Sequence, residues 1–149
     1  MSEESSREHL NLGVLLFIPY RAMEARVFEG LARQGFEDIT VARGRIFQRI
    51  SPEGSRLTDL AEQAQVTKQA ASGLVEELER TGYVTRVPDP SDARARLIKV
   101  SPRGADAIEA AAAIVAEVEG EWIRHLGAHR VTQLRRLLED LRDLTDPYT

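Results

Sequence analysis

The run PDPSDARARLIKV at residues 88–100 sets Arg94 and Arg96 just beyond a proline-rich turn, with Lys99 further along and Arg86 shortly before it. Cations carried on a rigid hairpin can engage phosphates or enter a minor groove. A second group lies upstream, where Thr67, Lys68, Gln69, Ala70 and Ser72 open a helical pattern. A helix start aims unpaired amides outward, so Thr67 and Lys68 suit a phosphate. Gln69 can pair with adenine through two hydrogen bonds, Ser72 can meet any base, and Ala70 offers a methyl to thymine. A polar helix start beside a basic hairpin is a pairing that can straddle duplex DNA. The plainer reading of each group is a solvated face. On it, Arg94 pairs with Asp92 or Asp89, Arg96 and Lys99 are exposed strand charges, and Arg86 braces the hairpin. These readings are compatible, since Asp92 can steady a guanidinium whose outer edge enters a groove.

Other chemistry finds little support. The chain has no cysteine, which removes disulfides, thiolate metal sites and thiol redox sensing. His125 and His129 have the spacing of two ligands on one helix turn, but Gly127 stands between them and no third ligand completes a set. No Gly-rich phosphate loop or activated nucleophile is apparent, and Glu76 and Glu77 fall on an exposed helix face. We expect no enzyme activity, no cofactor and no metal. The 149 residues suit one domain, with 42% hydrophobic and 30% charged residues. Aromatic residues are only 5%, too few for a platform that stacks single-stranded bases. The net charge of -4 means that any DNA footprint must be local. Residues 1–8 are polar, and the apolar stretch at 12–20 is short and followed by Arg21, so neither a signal peptide nor a membrane span is expected. A cytoplasmic location follows as the expectation.

The elements that would position these residues are mainly helical. Periodicity predicts a long helix over residues 10–34, kinked or split at Pro19. A second helix is predicted over 40–50 with Thr40 as cap, and a third over 59–64 with Thr58 as cap. The fourth is predicted over 68–81, with Thr67 as cap and Gly82 as stop, burying Ala71, Leu74, Val75 and Leu78. Residues 83–87 and 95–100 read as the strands of a hairpin around a turn at 88–92. Ser101 and Pro102 then start a long helix to about residue 126, and a last helix spans 130–144. The apolar stripes of the first and last helices are longer than the small central unit can cover. A homodimer in which the ends of two chains bury each other is the economical arrangement.

Four segments then resemble the MarR family of winged helix-turn-helix transcriptional regulators: LTDLAEQA at 57–64, VTKQAASGLVEELERTGYVTR at 66–86, DPSDAR at 89–94 and VSPRG at 100–104. The resemblance implies a mainly α fold with a small β-hairpin wing. It divides the chain into an N-terminal dimerisation helix (1–36), a winged helix-turn-helix DNA-binding region (37–104) and C-terminal dimerisation helices (105–149). It implies a homodimer that reads a double-stranded, pseudo-palindromic operator, with the fourth helix in the major groove and the wing, Asp92 to Arg94, at the minor groove. A repressor released by a small aromatic or anionic effector is the expected mode. Its pocket would lie between the dimerisation helices and the winged unit, with Phe17, Tyr20, Arg21, Phe47 and Trp122 as candidates that plain packing explains equally well.

The chain departs from the family pattern at three positions. Gln65 stands where the family usually has glycine, Gly73 stands where many members carry a DNA-contacting arginine, and Pro19 interrupts the first helix. A winged-helix module that binds proteins instead of DNA is the alternative reading.

Overall fold

The computed structural model describes residues 9–146. In chain order it comprises α1 (Leu12–Arg33), α2 (Val41–Phe47), α3 (Leu57–Gln63), α4 (Lys68–Arg80), β1 (Val84–Asp89), β2 (Asp92–Val100), α5 (Pro102–Leu126) and α6 (Ala128–Thr145). This is the winged-helix architecture, mainly α with one antiparallel hairpin. The expectations for residues 1–8 lie outside the described residues. Among those described, no helix is long and apolar enough to cross a membrane.

Local hydrogen bonding explains where most helices begin. The side chains of Asn11, Thr40, Thr67 and Ser101 each accept the amide of the residue three further on, at 2.9, 3.2, 3.0 and 3.1 Å. Each bond satisfies an amide that has no partner inside its own helix. The third helix corrects the expectation. It starts at Leu57, and Arg56 occupies the cap position with no side-chain cap bond. Thr58 is an exposed residue inside the first turn. The start is displaced because Ser55 bridges to the wing, exchanging backbone bonds of 2.9 and 2.8 Å with Ile98, which brings the chain onto the helix axis early. Helix α2 also ends sooner than expected, at Phe47. Helix α1 runs through Pro19 without a split. Leu15, whose carbonyl loses its donor to Pro19, is exposed, so water can replace the missing bond.

The core lies inside the winged unit. Ile46, Leu60, Ala71, Val75, Leu78, Tyr83, Val84 and Ile98 are each at most 2% exposed and join α2, α3, α4 and the hairpin. Each large aliphatic side chain there contributes roughly 1.5–3 kcal/mol by leaving water. Two glycines permit close approaches, one between the long helices and one between α5 and this unit. A Cβ at Gly30 would stand 2.4 Å from Ile114 Cδ1, so glycine lets α1 rest on α5. A Cβ at Gly104 would stand 2.3 Å from the carbonyl oxygen of Tyr83, so glycine lets α5 begin against the hairpin. Arg26 on α1 adds a two-pronged contact to Glu121 on α5, at 2.8 and 3.1 Å.

Candidate nucleic-acid interface

Helix α4 divides cleanly into two faces. Ala71, Val75 and Leu78 are buried, whereas Thr67, Lys68, Gln69 and Ala70 are exposed and Ser72 is half-buried. Because the Thr67 cap takes the amide of Ala70, the amides of Lys68 and Gln69 keep their lone donor capacity at the positive end of the helix. Gly73 is exposed, and a Cβ there would meet nothing within 4 Å. The preceding turn is held by Gln65, whose φ of 57° places a non-glycine residue in the left-handed region. Its side-chain amide donates to the Glu62 carbonyl at 2.7 Å, a bond that offsets part of that conformational cost.

The hairpin is tighter than its sequence suggests. The strands extend to Asp89 and Asp92, leaving Pro90 and Ser91 as the turn. Asp89 is buried and organises that turn. One of its oxygens accepts the Ser91 amide at 2.8 Å and the Ser91 hydroxyl at 2.7 Å. The other accepts Arg56 Nε at 2.9 Å and Nη2 at 2.7 Å, which ties the wing to the start of α3. The Ser91 amide and hydroxyl, with Arg56 beside them, hold the Asp89 carboxyl below its ordinary value. Asp92 accepts the backbone amide of Arg94 at 3.0 Å.

Neither acidic residue of the turn therefore pairs with the Arg94 guanidinium. Among the described residues Lys68, Arg94, Arg96 and Lys99 enter no salt bridge, and all four are exposed. Lys99 falls on the face of β2 opposite Ile98, and a register irregularity between Pro88 and Asp89 interrupts the alternation in the stretch that carries Arg94. Arg86 is half-buried and lies 3.3 Å from Glu79 of α4, so in the free protein it braces the hairpin against that helix. Arg56 escaped the sequence reading, since its partner Asp89 is 33 residues away and no local pattern links them.

A cavity of about 360 Å³ opens between α1, α2 and α5. Apolar side chains such as Val27, Phe28, Leu31, Ile39, Phe47 and Val115 form most of it, and Tyr20, Glu24, Arg45 and Gln48 supply its polar groups. The Tyr20 hydroxyl donates to Glu24 at 2.8 Å. That bond, then burial, pushes the hydroxyl above its ordinary value, and Arg45 alongside acts against the shift. Of the aromatic and basic candidates, Tyr20 and Phe47 line this space. Phe17 and Arg21 are exposed on α1 and Trp122 is half-buried on α5, none of them in the lining. Arg45 is the lining cation that sequence reasoning missed. His125 and His129 fall on different helices, either side of Gly127.

Comparison with known proteins agrees with this geometry. The sequence profile of the MarR family matches residues 37–95, which span α2 to the first half of β2. In solved structures, the chain is similar to the reduced form of MarR from E. coli, with a TM-score of 0.74 and 26% identity over 91% of this chain and 98% of that one. It is also similar to a MarR family protein of Mycobacterium tuberculosis in complex with salicylic acid, with a TM-score of 0.66 and 26% identity over 90% of this chain and 98% of that one. The transcriptional activatory protein BadR of Rhodopseudomonas palustris is 30% identical over 131 residues, covering 85% of this chain and 71% of that protein. With the capped α4, the Asp89-anchored wing and these matches in accord, the chain belongs to the MarR family of transcriptional regulators.

Proposed function

We propose that this regulator is a ligand-responsive repressor that acts as a homodimer on a pseudo-palindromic, double-stranded operator. The observation that carries the DNA reading is the set of uncompensated cations on an acidic chain: Lys68 at the open start of α4, and Arg94 and Arg96 near the wing tip. In this reading Thr67, Lys68, Gln69, Ala70 and Ser72 meet the major groove. Arg94, steadied through Asp92, enters the minor groove, and Arg96, Lys99 and Arg86 serve phosphates. Residues 37–104 form the reading unit, and 1–36 with 105–149 form the dimer. Leu12, Leu137 and Leu144 are 78, 63 and 85% exposed, an apolar surface that a second copy would cover. The cavity supports the effector role, since an apolar space with Arg45 at its polar part suits an aromatic acid. Family membership favours DNA reading over a protein-binding module on the same scaffold.

Fluorescence anisotropy tests this on duplex selected from a random library, over a salt series, with sodium salicylate as the probe effector. Specific binding near ~10⁻⁸ to 10⁻¹⁰ M that weakens steeply with salt is expected. Half-site centres should lie about 10 bp apart or a small multiple of it. Arg94→Ala should remove most of the affinity while the protein stays folded, and salicylate should release the DNA. Affinity that Arg94→Ala leaves intact would refute the wing assignment, and failure to select any sequence would refute the DNA reading.

A further inference from the structure

Asp38 lies in the segment between α1 and α2, and both of its ends are engaged. Its carboxylate accepts the hydroxyl of Tyr83, a fully buried residue at the foot of the hairpin. Arg103, in the first turn of α5, reaches the same carboxylate at 3.4 and 3.5 Å and the Tyr83 hydroxyl at 3.0 Å. That guanidinium also lies 4.7 Å from the centroid of the Tyr83 ring and donates to the Gly35 carbonyl at 3.3 Å. Burial, then the hydrogen bond to Asp38, pushes the Tyr83 hydroxyl up to about 12, so it remains a donor at neutral pH. The backbone carbonyl of Asp38 accepts Arg43 Nη1 at 2.7 Å, and Nη2 of Arg43 stands 3.3 Å from Glu77 on α4. Arg43, Glu77 and Tyr83 lie within the reading unit, and Arg103 stands at its end, in the first turn of the long α5 helix whose continuation packs on α1.

We infer that Asp38 is a positioning residue that sets the placement of the recognition helix and wing on the long helices, and hence the separation of the two reading units in the dimer. The inference rests on the dimeric reading proposed above. A charged acceptor facing a guanidinium and a buried hydroxyl makes strong, directional bonds, and packed junctions of this kind hold one arrangement instead of deforming continuously. The carboxylate fixes the hairpin foot to α5 while the carbonyl, through Arg43, fixes α4. Loosening either connection frees the reading unit to pivot. Ile39, the next residue, is buried and lines the cavity, so a bound effector would press on the neighbour of this junction.

Pivoting predicts relaxed spacing, which separates positioning from mere stability. The duplex selected by the wild-type protein is compared with one carrying a single base pair inserted at its centre, for wild type, Asp38→Asn, Tyr83→Phe and Lys68→Ala. Wild type should prefer the selected spacing strongly. Asp38→Asn and Tyr83→Phe, folded by circular dichroism at the assay temperature, should lower that preference about ten-fold, within the usual range of coupling between sites. Lys68→Ala should weaken binding to both duplexes alike and leave the preference unchanged. Tyr83→Phe removes one hydroxyl and keeps the test informative if Asp38→Asn does not fold. An unchanged preference in the folded variants overturns the inference and leaves Asp38 a stabilising contact. A wild-type protein indifferent to spacing overturns the dimeric reading, and the inference falls with it.

Discussion

Asp89 shows how one side chain governs the presentation of the wing. Four hydrogen bonds converge on its carboxylate from Ser91 and Arg56. Its folded pKa is depressed, chiefly by the Ser91 amide. Stability from a depressed carboxyl is present above the unfolded value, about 4, and is lost as pH falls through the folded one. The wing should therefore loosen in acid. Thermal melts from pH 7 to pH 3 should show wild type losing more stability than Asp89→Asn, which has no charge to lose at that position. Parallel curves for the two proteins would show that Asp89 does not anchor the wing in this way. The cap residues were legible because a cap is a contact over three residues: Thr40, Thr67 and Ser101 announce their bonds by position alone. The Arg56–Asp89 and Arg43–Glu77 contacts were not, since each joins distant segments that only the fold brings together.

The same distinction recurs among the elements. Helix α4 was legible almost to the residue because cap, apolar stripe and Gly82 stop agree. Helix α3 was not, because the Ser55–Ile98 bridge, a tertiary contact, sets where it begins. The strands reach further into the hairpin turn than propensity indicates, and Asp89 holds that turn through its side-chain bonds to Ser91. Within the candidate interface, the polar turn of α4 was readable, whereas Arg45 of the cavity came to notice only through packing. Gly73 leads to a prediction about α4 as a helix. Glycine in a helix interior costs roughly 1 kcal/mol relative to alanine, and a Cβ at this position meets no neighbour. Gly73→Ala should raise unfolding stability by roughly that amount in urea melts. Gly73→Arg has the same open space and adds a cation to the exposed face, so it should tighten binding to random duplex as well as to operator. A destabilised Gly73→Ala would mean that the glycine serves a backbone conformation the helix needs.

Burial across the whole molecule is uneven. The winged unit has a closed core, while no residue of α6 is buried and the first half of α1 is exposed throughout. Leu134, Leu137, Leu138, Leu141 and Leu144 are all exposed on α6, and Leu12, Leu15, Leu16, Phe17 and Ile18 on α1. An apolar surface of this extent on helices whose main packing is against α5 needs a partner to leave water. A second copy is the economical partner, because it presents the same surface and closes the assembly at two. The consequence is thermodynamic as well as structural. When folding and association are linked, mass action makes the melting temperature rise with protein concentration. Sedimentation should give a particle of twice the 16.6 kDa chain mass, with a melting temperature that climbs over a hundred-fold concentration series. Leu137→Glu with Leu12→Glu places carboxylates on both apolar helices. It should lower the melting temperature most at high concentration, where the wild-type dimer gains most from association, and abolish tight operator binding. A monomer whose melting temperature ignores concentration, yet which binds operator tightly, would require a different cover for these helices. The reading unit would then have to recognise its site as a single copy.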